Sequence, residues 1–331
     1  MPLHLKEFQG EEFQGYVENV PRAKDYLLRS ILPNKNTKDI NFSYGVINGK
    51  YGQAASITGF NASAPLRDKK QLEKAFGTVA KVQHGTRLDE EELLRFNRPR
   101  DEEEKAQAVD YVYDTTDDLI QGVYDIEEYM RAQAVYKGQL KYDDDENDIH
   151  IEVDYNIPSE NKLTVTTAWS DSSSTPLSDI QAAVKQYKKA NKNRKPVVMH
   201  MTSTTEANLL QNEQIRVQVY GTENGQRLLT KNDIQNVFSA LGLPPYAIND
   251  DVVDLYGDGE VQLLEDDKVV LLGENLGRTY LGPTVEKDYQ SGIYSVTEIK
   301  DSNPPSQAVF IGETVFPALA KPQSIVILDV S

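Results

Sequence analysis

The chain has 331 residues, of which 35 are basic and 52 acidic, giving a formal net charge of −17. This excess of negative charge argues against tight contact with nucleic acid phosphates. There is no cysteine, which excludes disulfides, thiolate metal sites and a cysteine nucleophile. No stretch approaches the ~20 apolar residues of a membrane span. The composition indicates a globular protein long enough to bury its own core.

Residues 1–35 are mixed in polarity and poorly periodic. The first of them, MPLHLKEFQG, lack the basic lead and apolar run of a signal peptide, so we expect function in the cytosol. A short helix is predicted over residues 26–31, ending before Pro33. The segment as a whole is interpreted as an N-terminal arm.

Residues 36–87 are rich in Gly, Ser, Thr and Asn, with strand patterns at 40–47 and 75–83. From Lys35 to Arg87, nine basic residues face three acidic ones, a balance of +6. This local charge is opposite in sign to that of the chain. The pattern predicts an extended basic loop.

Residues 99–138 carry the strongest local pattern. Pro99 suits the first turn of a helix, residues 101–104 are acidic, and Lys137-Gly138 suits its end. At 1.5 Å per residue this helix would be about 57 Å long. From 101 to 137 eleven acidic residues face three basic ones, a balance of −8, and Gly122 is a weak position within the helix. One face repeats at spacings of three and four and is expected to be buried: Val109, Val112, Tyr113, Thr116, Ile120, Val123, Ile126 and Met130.

The stretch YDDDENDIHIEVDY, residues 142–155, allows either a calcium loop or a hairpin. A helix-flanked calcium loop needs glycine at its sixth place and glutamate at its twelfth. Those places hold Asp148 and Asp154. The residues from Ile149 onward alternate as in a strand. A hairpin over residues 139–155 is therefore predicted.

Residues 160–285 alternate between helix and strand patterns, which predicts a mixed α/β unit with its own core. Its predicted elements are a helix after Thr175-Pro176, a strand in KPVVMHM, a capping box from Ser203 to Glu206, a strand in IRVQVYG, a helix from Thr230 to Gly242 and a strand in KVVLLG.

The C-terminal stretch returns to strand patterns, at residues 292–299 and 307–311, with a nearly all-apolar strand at 324–330. A strand this apolar is expected to pair centrally in a sheet. We expect its partners near the long helix and the hairpin at Tyr142.

The sequence contains none of the common motifs for phosphate binding or hydrolytic catalysis. GTENGQRLLTK lacks the spacing of a phosphate-binding loop and is read as a hairpin turn, and neither G-x-S-x-G nor H-E-x-x-H occurs. The four histidines stand far apart in sequence. His200 and Trp169 are interpreted as core residues. No catalytic residue and no cofactor is predicted.

The order of these parts resembles the major head (capsid) proteins of tailed bacteriophages, in the lambda-like branch of the family with the HK97 shell fold. The resemblance rests on ASAPLRDKKQLEKAFGTVAKVQHGTRLDEEELLRF at 62–96 and SQAVFIGETVFPALAKPQSIVILDVS at 306–331. It implies an α+β fold. The implied parts are an N-terminal arm (1–35), an extended E-loop (36–87), a peripheral domain (88–159) with a spine helix (99–138) and a hairpin (139–155), an axial domain (160–285) and strands returning to the peripheral domain (286–331).

The resemblance also implies a non-enzymatic structural subunit that forms hexamers and pentamers of an icosahedral head around double-stranded DNA. Its place would be the virion, assembled in the host cytoplasm, with no cofactor and no membrane contact. The implied partners are further copies of the chain, a separate scaffolding protein, a portal and a decoration protein. Some relatives crosslink their shells through lysine and asparagine. Lys69, Lys70 or Lys74 would be the lysine here, but no asparagine or acidic partner is located, so that chemistry is not carried over.

Two alternatives remain open from the sequence. One is an encapsulin-like nanocompartment shell of the same fold. The other is a soluble acidic α/β enzyme or binding protein.

Two site hypotheses follow from the charge pattern. In the first, the basic loop of one subunit lies across the acidic helix of its neighbour. This pairs Lys50, Arg67, Lys69, Lys70, Lys74 and Lys81 with Asp110, Asp114, Asp117, Asp118 and Asp125. The second rests on the resemblance, which implies that the hairpin tip lies near a three-fold axis of the shell. Three copies of Asp143, Asp144, Asp145 and Asp148 would converge there, and a cation or a basic partner would relieve their repulsion.

Overall fold

The computed structural model describes residues 10–46, 73–97, 102–144, 149–222, 227–255, 259–301 and 304–331. The helices in these ranges are α1 (Glu11–Asn19), α2 (Leu27–Ile31), α3 (Glu90–Asn97), α4 (Glu102–Ala132), α5 (Pro176–Ala190), α6 (Ser203–Gln211), α7 (Glu213–Tyr220) and α8 (Lys231–Leu241). The strands are β1 (Asn34–Asn36), β2 (Asn41–Val46), β3 (Glu73–Thr78), β4 (Ala80–Leu88), β5 (Gln139–Asp144), β6 (Ile149–Asp154), β7 (Lys162–Thr164), β8 (Val198–Met201), β9 (Tyr246–Ile248), β10 (Val252–Leu255), β11 (Gly259–Gln262), β12 (Lys268–Leu272), β13 (Gly277–Leu281), β14 (Pro283–Thr284), β15 (Gln290–Ser291), β16 (Tyr294–Lys300), β17 (Ser306–Leu319) and β18 (Ile325–Asp329).

The chain divides into two compact units, each assembled from separate segments. Unit 1 comprises Met1–Phe42, Phe76–Arg131 and Arg278–Ala318. Unit 2 comprises Ser43–Ala75, Ala132–Gly277 and Leu319–Ser331. Hairpin β5–β6, expected in one domain with the long helix, falls in unit 2.

Unit 1 is built on the 14-residue strand β17, which is buried along most of its length. The strand order is β1-β13-β17-β16, and β4 also pairs with β17. β17 runs antiparallel to β16 from Tyr294↔Gly312 to Lys300↔Ser306 and antiparallel to β4 from Gln307↔Leu88 to Val315↔Ala80. The predicted loop at 36–87 therefore ends in a strand of its own chain's sheet. Within 36–87, residues 47–72 lie outside the described part of the chain.

Helix α4 confirms the predicted long helix over Glu102–Ala132 and continues in a π-helical turn, Gln133–Lys137, that ends at Gly138 with φ 73°. Of the predicted stripe, the structure buries Val112, Thr116, Ile120, Val123 and Met130. Val109, Tyr113 and Ile126 are partly buried. The apolar core of unit 1 joins this stripe to residues of α1 and β17.

The N-terminal segment, interpreted from the sequence as an arm, belongs to unit 1 and packs on it. Phe13 and Val17 lie four residues apart on α1, so both face the core and both are buried. Helix α2 confirms the predicted short helix and buries Leu28. β1 then pairs in parallel with β13. Three separate contacts therefore hold residues 10–36 to their own chain.

Unit 2 contains a five-stranded sheet in the order β7-β18-β12-β8-β9. β12 is antiparallel to β18 and β8, while β7 and β9 pair in parallel with β18 and β8. The core includes residues of α5, α6, α7 and α8 and one face of the sheet. The last strand, β18, pairs inside this sheet, as predicted, and its neighbours are β12 and β7. The expected return of residues 286–331 to the domain of the long helix is wrong for β18, which belongs to unit 2.

Local predictions in unit 2 have mixed outcomes. The strands in KPVVMHM and KVVLLG and the helices α5 and α8 are confirmed, and α8 has a full capping box at Thr230 and an αL residue at Gly242. The predicted strand IRVQVYG is wrong. It belongs to α7, because the Asn212 side chain accepts a hydrogen bond from the Ile215 N–H and starts a helix. The predicted cap at Ser203 is one residue late, since the Thr202 side chain caps α6.

The hairpin at 139–155 is confirmed. β5 and β6 pair in antiparallel register from Gln139↔Asp154 to Asp144↔Ile149. The tip, residues 145–148, lies outside the described residues. In the part of the chain that the structure describes, no helix is both long and apolar enough to cross a membrane.

Candidate functional site

The exposed face of α4 carries a row of carboxylates. Asp110, Asp114 and Asp118 are all exposed and are spaced by four residues, so they follow one another along one side of the helix. Tyr111, on the next position, is also 49% exposed. We call Asp110, Asp114 and Asp118 the acidic row. It is an accessible surface of like charge.

The other two predicted acids of this helix are used within the chain. Asp117 accepts a hydrogen bond from the Tyr16 hydroxyl. Asp125 accepts from the Tyr26 hydroxyl at 2.6 Å and from Gln121 Nε2 at 2.6 Å. Burial and the neighbouring Asp117 raise the pKa of Tyr16, so its hydroxyl stays a donor. These two carboxylates position the N-terminal segment on the helix.

The structure describes only part of the basic residues that were predicted to pair with the acidic helix. Lys50, Arg67, Lys69 and Lys70 lie outside the described residues. Lys74 falls in β3, but its side chain lies outside them as well. Lys81 lies on β4, where its Nζ is 2.5 Å from Glu286 Oε1 of the same chain. That intrachain pair differs from the contact with a neighbour expected of Lys81.

The predicted cation site also falls mainly outside the described part of the chain. Asp145 and Asp148 lie in the undescribed tip, and the side chain of Asp143 is undescribed too. Among the residues that are described, no group of three or more His, Asp or Glu side chains could hold a metal ion. The cation hypothesis stays a prediction.

The C-terminal end of α4 carries a buried ion network that the sequence reasoning missed. Arg131 is fully buried. Its guanidinium donates to Glu127 at 2.5 Å, to Glu128 at 2.9 Å, to Asn34 at 2.5 Å and to Thr279 at 2.9 Å. The spacing of these acids and the arginine by three and four residues on one helix was the available signal.

The same network fastens the N-terminal segment. The backbone N–H of Leu28 donates to Glu128 Oε1 at 2.8 Å, and Arg22 Nη1 donates to Glu127 Oε2 at 3.1 Å. Asn34 Nδ2 donates to Glu127 Oε1 at 2.7 Å. Together with the Tyr16 and Tyr26 hydrogen bonds, these contacts hold the N-terminal segment against α4 at several points between Tyr16 and Asn34.

A third carboxyl group, Glu313 of β17, makes the network electrically unbalanced. Burial, followed by the nearby charge of Glu127, raises the pKa of Glu313 well above its ordinary value. Burial also raises the pKa of Glu128, against the opposing effect of Arg131. Among the described residues, Glu313 Oε1 has no hydrogen-bond partner. Three carboxyl groups therefore lie near the guanidinium groups of Arg131 and Arg22, and burial favours the neutral, protonated form of Glu313.

Gly122, the weak position of the predicted helix, has a packing reason. A Cβ there would lie 2.4 Å from Cε1 of His84 on β4. The His84 ring lies close because its Nε2 donates to the carbonyl oxygen of Leu119 at 2.5 Å. The glycine therefore lets β4 approach the helix.

His200 and Trp169 of unit 2 lie in the protein core. His200 is buried, as predicted, and burial lowers its pKa to about 4, so it is neutral at neutral pH. The Tyr136 hydroxyl lies 2.7 Å from His200 Nδ1 and accepts from Asn249 Nδ2 at 2.7 Å. Trp169 is buried too, as predicted, and donates to Asp179.

The family relationship is clear from comparison with known proteins. Residues 12–330 match the family model described as Phage major capsid protein E. The chain belongs to this family. The capsid protein has the HK97-like α+β fold, and the predicted resemblance is confirmed.

Solved structures agree on the fold. A protein described as a prophage capsid protein of Escherichia coli CFT073 has a TM-score of 0.54 at 14% identity, covering 79% of this chain and 80% of that one. A phage-related protein of Bordetella bronchiseptica RB50 has a TM-score of 0.53 at 11% identity, covering 96% and 95%. A search of curated proteins gave no match.

The capsid protein is therefore a structural component of a phage head that assembles into a shell with copies of itself. Its family and fold are those of structural capsid proteins. The accessible acidic row and the buried ion network are then features of a subunit whose main partner is another copy.

Proposed function

We propose that the chain forms the hexamers and pentamers of an icosahedral head that encloses double-stranded DNA without sequence-specific binding, and that it has no enzymatic activity. The family match over residues 12–330 is the observation that supports this most strongly. The net charge of −17 also suits a container that must hold packed DNA without gripping it. Assembly in the host cytoplasm, with a scaffolding protein, a portal and a decoration protein as partners, belongs to the same proposal.

We also propose that the acidic row guides subunit register by receiving the basic loop of a neighbour. The support is its exposure: Asp110, Asp114 and Asp118 are accessible, whereas Asp117 and Asp125 are occupied within the chain. Of the basic set, Lys50, Arg67, Lys69, Lys70 and Lys74 remain the proposed partners, because Lys81 pairs with Glu286. Exposed ion pairs contribute only about 0–1 kcal/mol each, so the row would govern partner choice and rate more than total affinity.

The test neutralises the row without changing side-chain shape. The triple variant Asp110→Asn, Asp114→Asn, Asp118→Asn is expected to slow assembly and to flatten its dependence on ionic strength. The matched control, Asp254→Asn, Glu260→Gln, Glu298→Gln, removes the same charge from other exposed positions. Light scattering during assembly at several salt concentrations gives both quantities. Identical behaviour of the two triple variants would contradict the role of the row.

A further inference from the structure

A hairpin of unit 1, residues 283–291, exposes two large apolar side chains, while two of its three charged side chains make ion pairs within the unit. It is formed by β14 and β15, which pair at Pro283↔Ser291 and Thr284↔Gln290. Val285 is 68% exposed and Tyr289 is 76% exposed. On an ordinary surface turn the polar side chains take the outer positions. Two large apolar side chains at outer positions of one turn point to a surface that is covered by something else.

The charged side chains of the turn are tied back to the same unit. Glu286 lies 2.5 Å from Lys81 of β4. Lys287 lies 2.9 Å from Glu18 of α1, and its Nζ donates to the carbonyl oxygen of Ile293 at 3.0 Å. These contacts brace the turn from two sides. They also pair two of the three charges of the turn, and the third, Asp288, is exposed.

The backbone of the turn is held in an unfavourable conformation. Asp288 and Tyr289 have φ of 50° and 60°, a region that a bulky side chain rarely adopts. The conformation is fixed by the Tyr289 N–H, which donates to the Thr284 carbonyl at 2.8 Å. Strain that surrounding contacts maintain is common at functional positions. Here it displays the Tyr289 ring to solvent.

We propose that Val285 and Tyr289 form an apolar knob that packs against a neighbouring copy of this chain in the shell. The inference rests on the capsid function, which makes another copy the partner present around every subunit. Two chains that each carry −17 repel one another at long range. A braced turn that exposes two apolar side chains, and on which two of the three charges are already paired, is suited to close contact between such chains.

The first test measures particle formation by the full chain, using negative-stain micrographs and sedimentation. The double variant Val285→Ser, Tyr289→Ser is expected to lower the particle yield about tenfold or more, with the thermal unfolding of free subunits unchanged. Leu228→Ser is the control, because Leu228 is 87% exposed on unit 2. A wild-type yield from the double variant would overturn the proposal.

Tyr289→Gly separates assembly from folding. Glycine accepts the positive φ, so free subunits are expected to be at least as stable as the wild type while particle formation still falls. A glycine variant that assembles normally would overturn the proposal. Tyr289→Phe keeps the apolar ring and is expected to restore assembly.

Tyr289→Cys gives a direct measure of contact, because the chain has no other cysteine. Its thiol is expected to react with a maleimide about tenfold more slowly in particles than in dissociated subunits. Equal reactivity would overturn the proposal while leaving the capsid function intact. Failure of the wild type to form particles at all would instead contradict the capsid function, and the proposal with it.

Discussion

Replacing Glu313 by glutamine tests whether the buried network of unit 1 holds a proton. Glu313 is 2% exposed, and its Oε1 has no hydrogen-bond partner among the residues that the structure describes. Burial and the charge of Glu127 raise its pKa, while Arg22, Arg131 and Lys287 lower it. Glutamine has nearly the same shape and cannot ionise. The substitution therefore removes the titration and leaves the packing largely in place.

The sign of the effect follows from where the proton is bound. Above the ordinary pKa of 4.5, the unfolded chain has released the proton that the folded chain still holds. The wild type should therefore lose stability as pH rises from about 4.5 toward the folded pKa of Glu313, and this loss should stop above that pKa. Each unit of separation between the two pKa values is worth about 1.4 kcal/mol. The free energy of unfolding of Glu313→Gln, minus that of the wild type, should rise with pH by up to this amount per unit.

Urea unfolding of free subunits between pH 5 and 8, followed by circular dichroism, measures this difference. The slope matters rather than the offset, because the new amide adds a constant packing cost. Glu298→Gln, on the adjacent strand β16, is the control for loss of an exposed carboxylate. Infrared spectra give a direct check, since a protonated carboxyl band should disappear in Glu313→Gln. Parallel pH curves for the variant and the wild type would refute the assignment.

Three further substitutions test the packing and charge of the long helix. Gly122→Ala should lower the free energy of unfolding in urea by about 1–3 kcal/mol, because the new Cβ meets the His84 ring. Adding His84→Ala to the same chain should recover part of the loss. A gain in stability of about 1 kcal/mol, as in an exposed helix, would contradict this. Arg131→Met should cost about 3–5 kcal/mol in the same assay by leaving buried carboxylates unpaired, and a cost below about 1 kcal/mol would mean that the site is hydrated. Asp125→Ala should lower the free energy of unfolding by about 1.5–3 kcal/mol, because it removes the hydrogen bond from Tyr26. Asp114→Ala, at an exposed position, should leave the melting temperature unchanged. Equal effects of the two substitutions would contradict the assignment of Asp125 to the fold and of Asp114 to the surface.

The sequence was sufficient for elements whose residues carry their own pattern. Helix α4 was predictable because its buried side chains recur at three and four, and α8 because Thr230 and Gly242 mark its ends. Hairpin β5–β6 was predictable because apolar and polar residues alternate from Ile149 onward and because the sixth place of a calcium loop holds Asp148 instead of glycine. In each case the deciding information lies within about 15 residues, as local interactions require.

One error has a local cause: IRVQVYG alternates like a strand, but Asn212 starts a helix there and Gly221 follows its end. The other errors occur where distant partners decide the structure. The place of β18 depended on which apolar strand it would meet, and alternation cannot distinguish β12 from strands of unit 1. The N-terminal segment looked like an arm because its main anchors, Glu127, Glu128 and Arg131, are charged residues about 100 positions away. Charged side chains are normally assigned to the surface.

The acidic residues of α4 therefore fall into two groups with different physical roles, and the net charge of the helix does not distinguish them. Near its C-terminal end, carboxylates are desolvated and their interactions with Arg131 are weakly screened, so they act on the fold of unit 1. In its middle, Asp110, Asp114 and Asp118 are exposed, so their interactions are screened by salt and cost little to rearrange. Only the second group can respond to an approaching subunit without disturbing the first. Because Asp117 and Asp125 hold the N-terminal segment, only Asp110, Asp114 and Asp118 remain for the proposed contact with a neighbouring subunit.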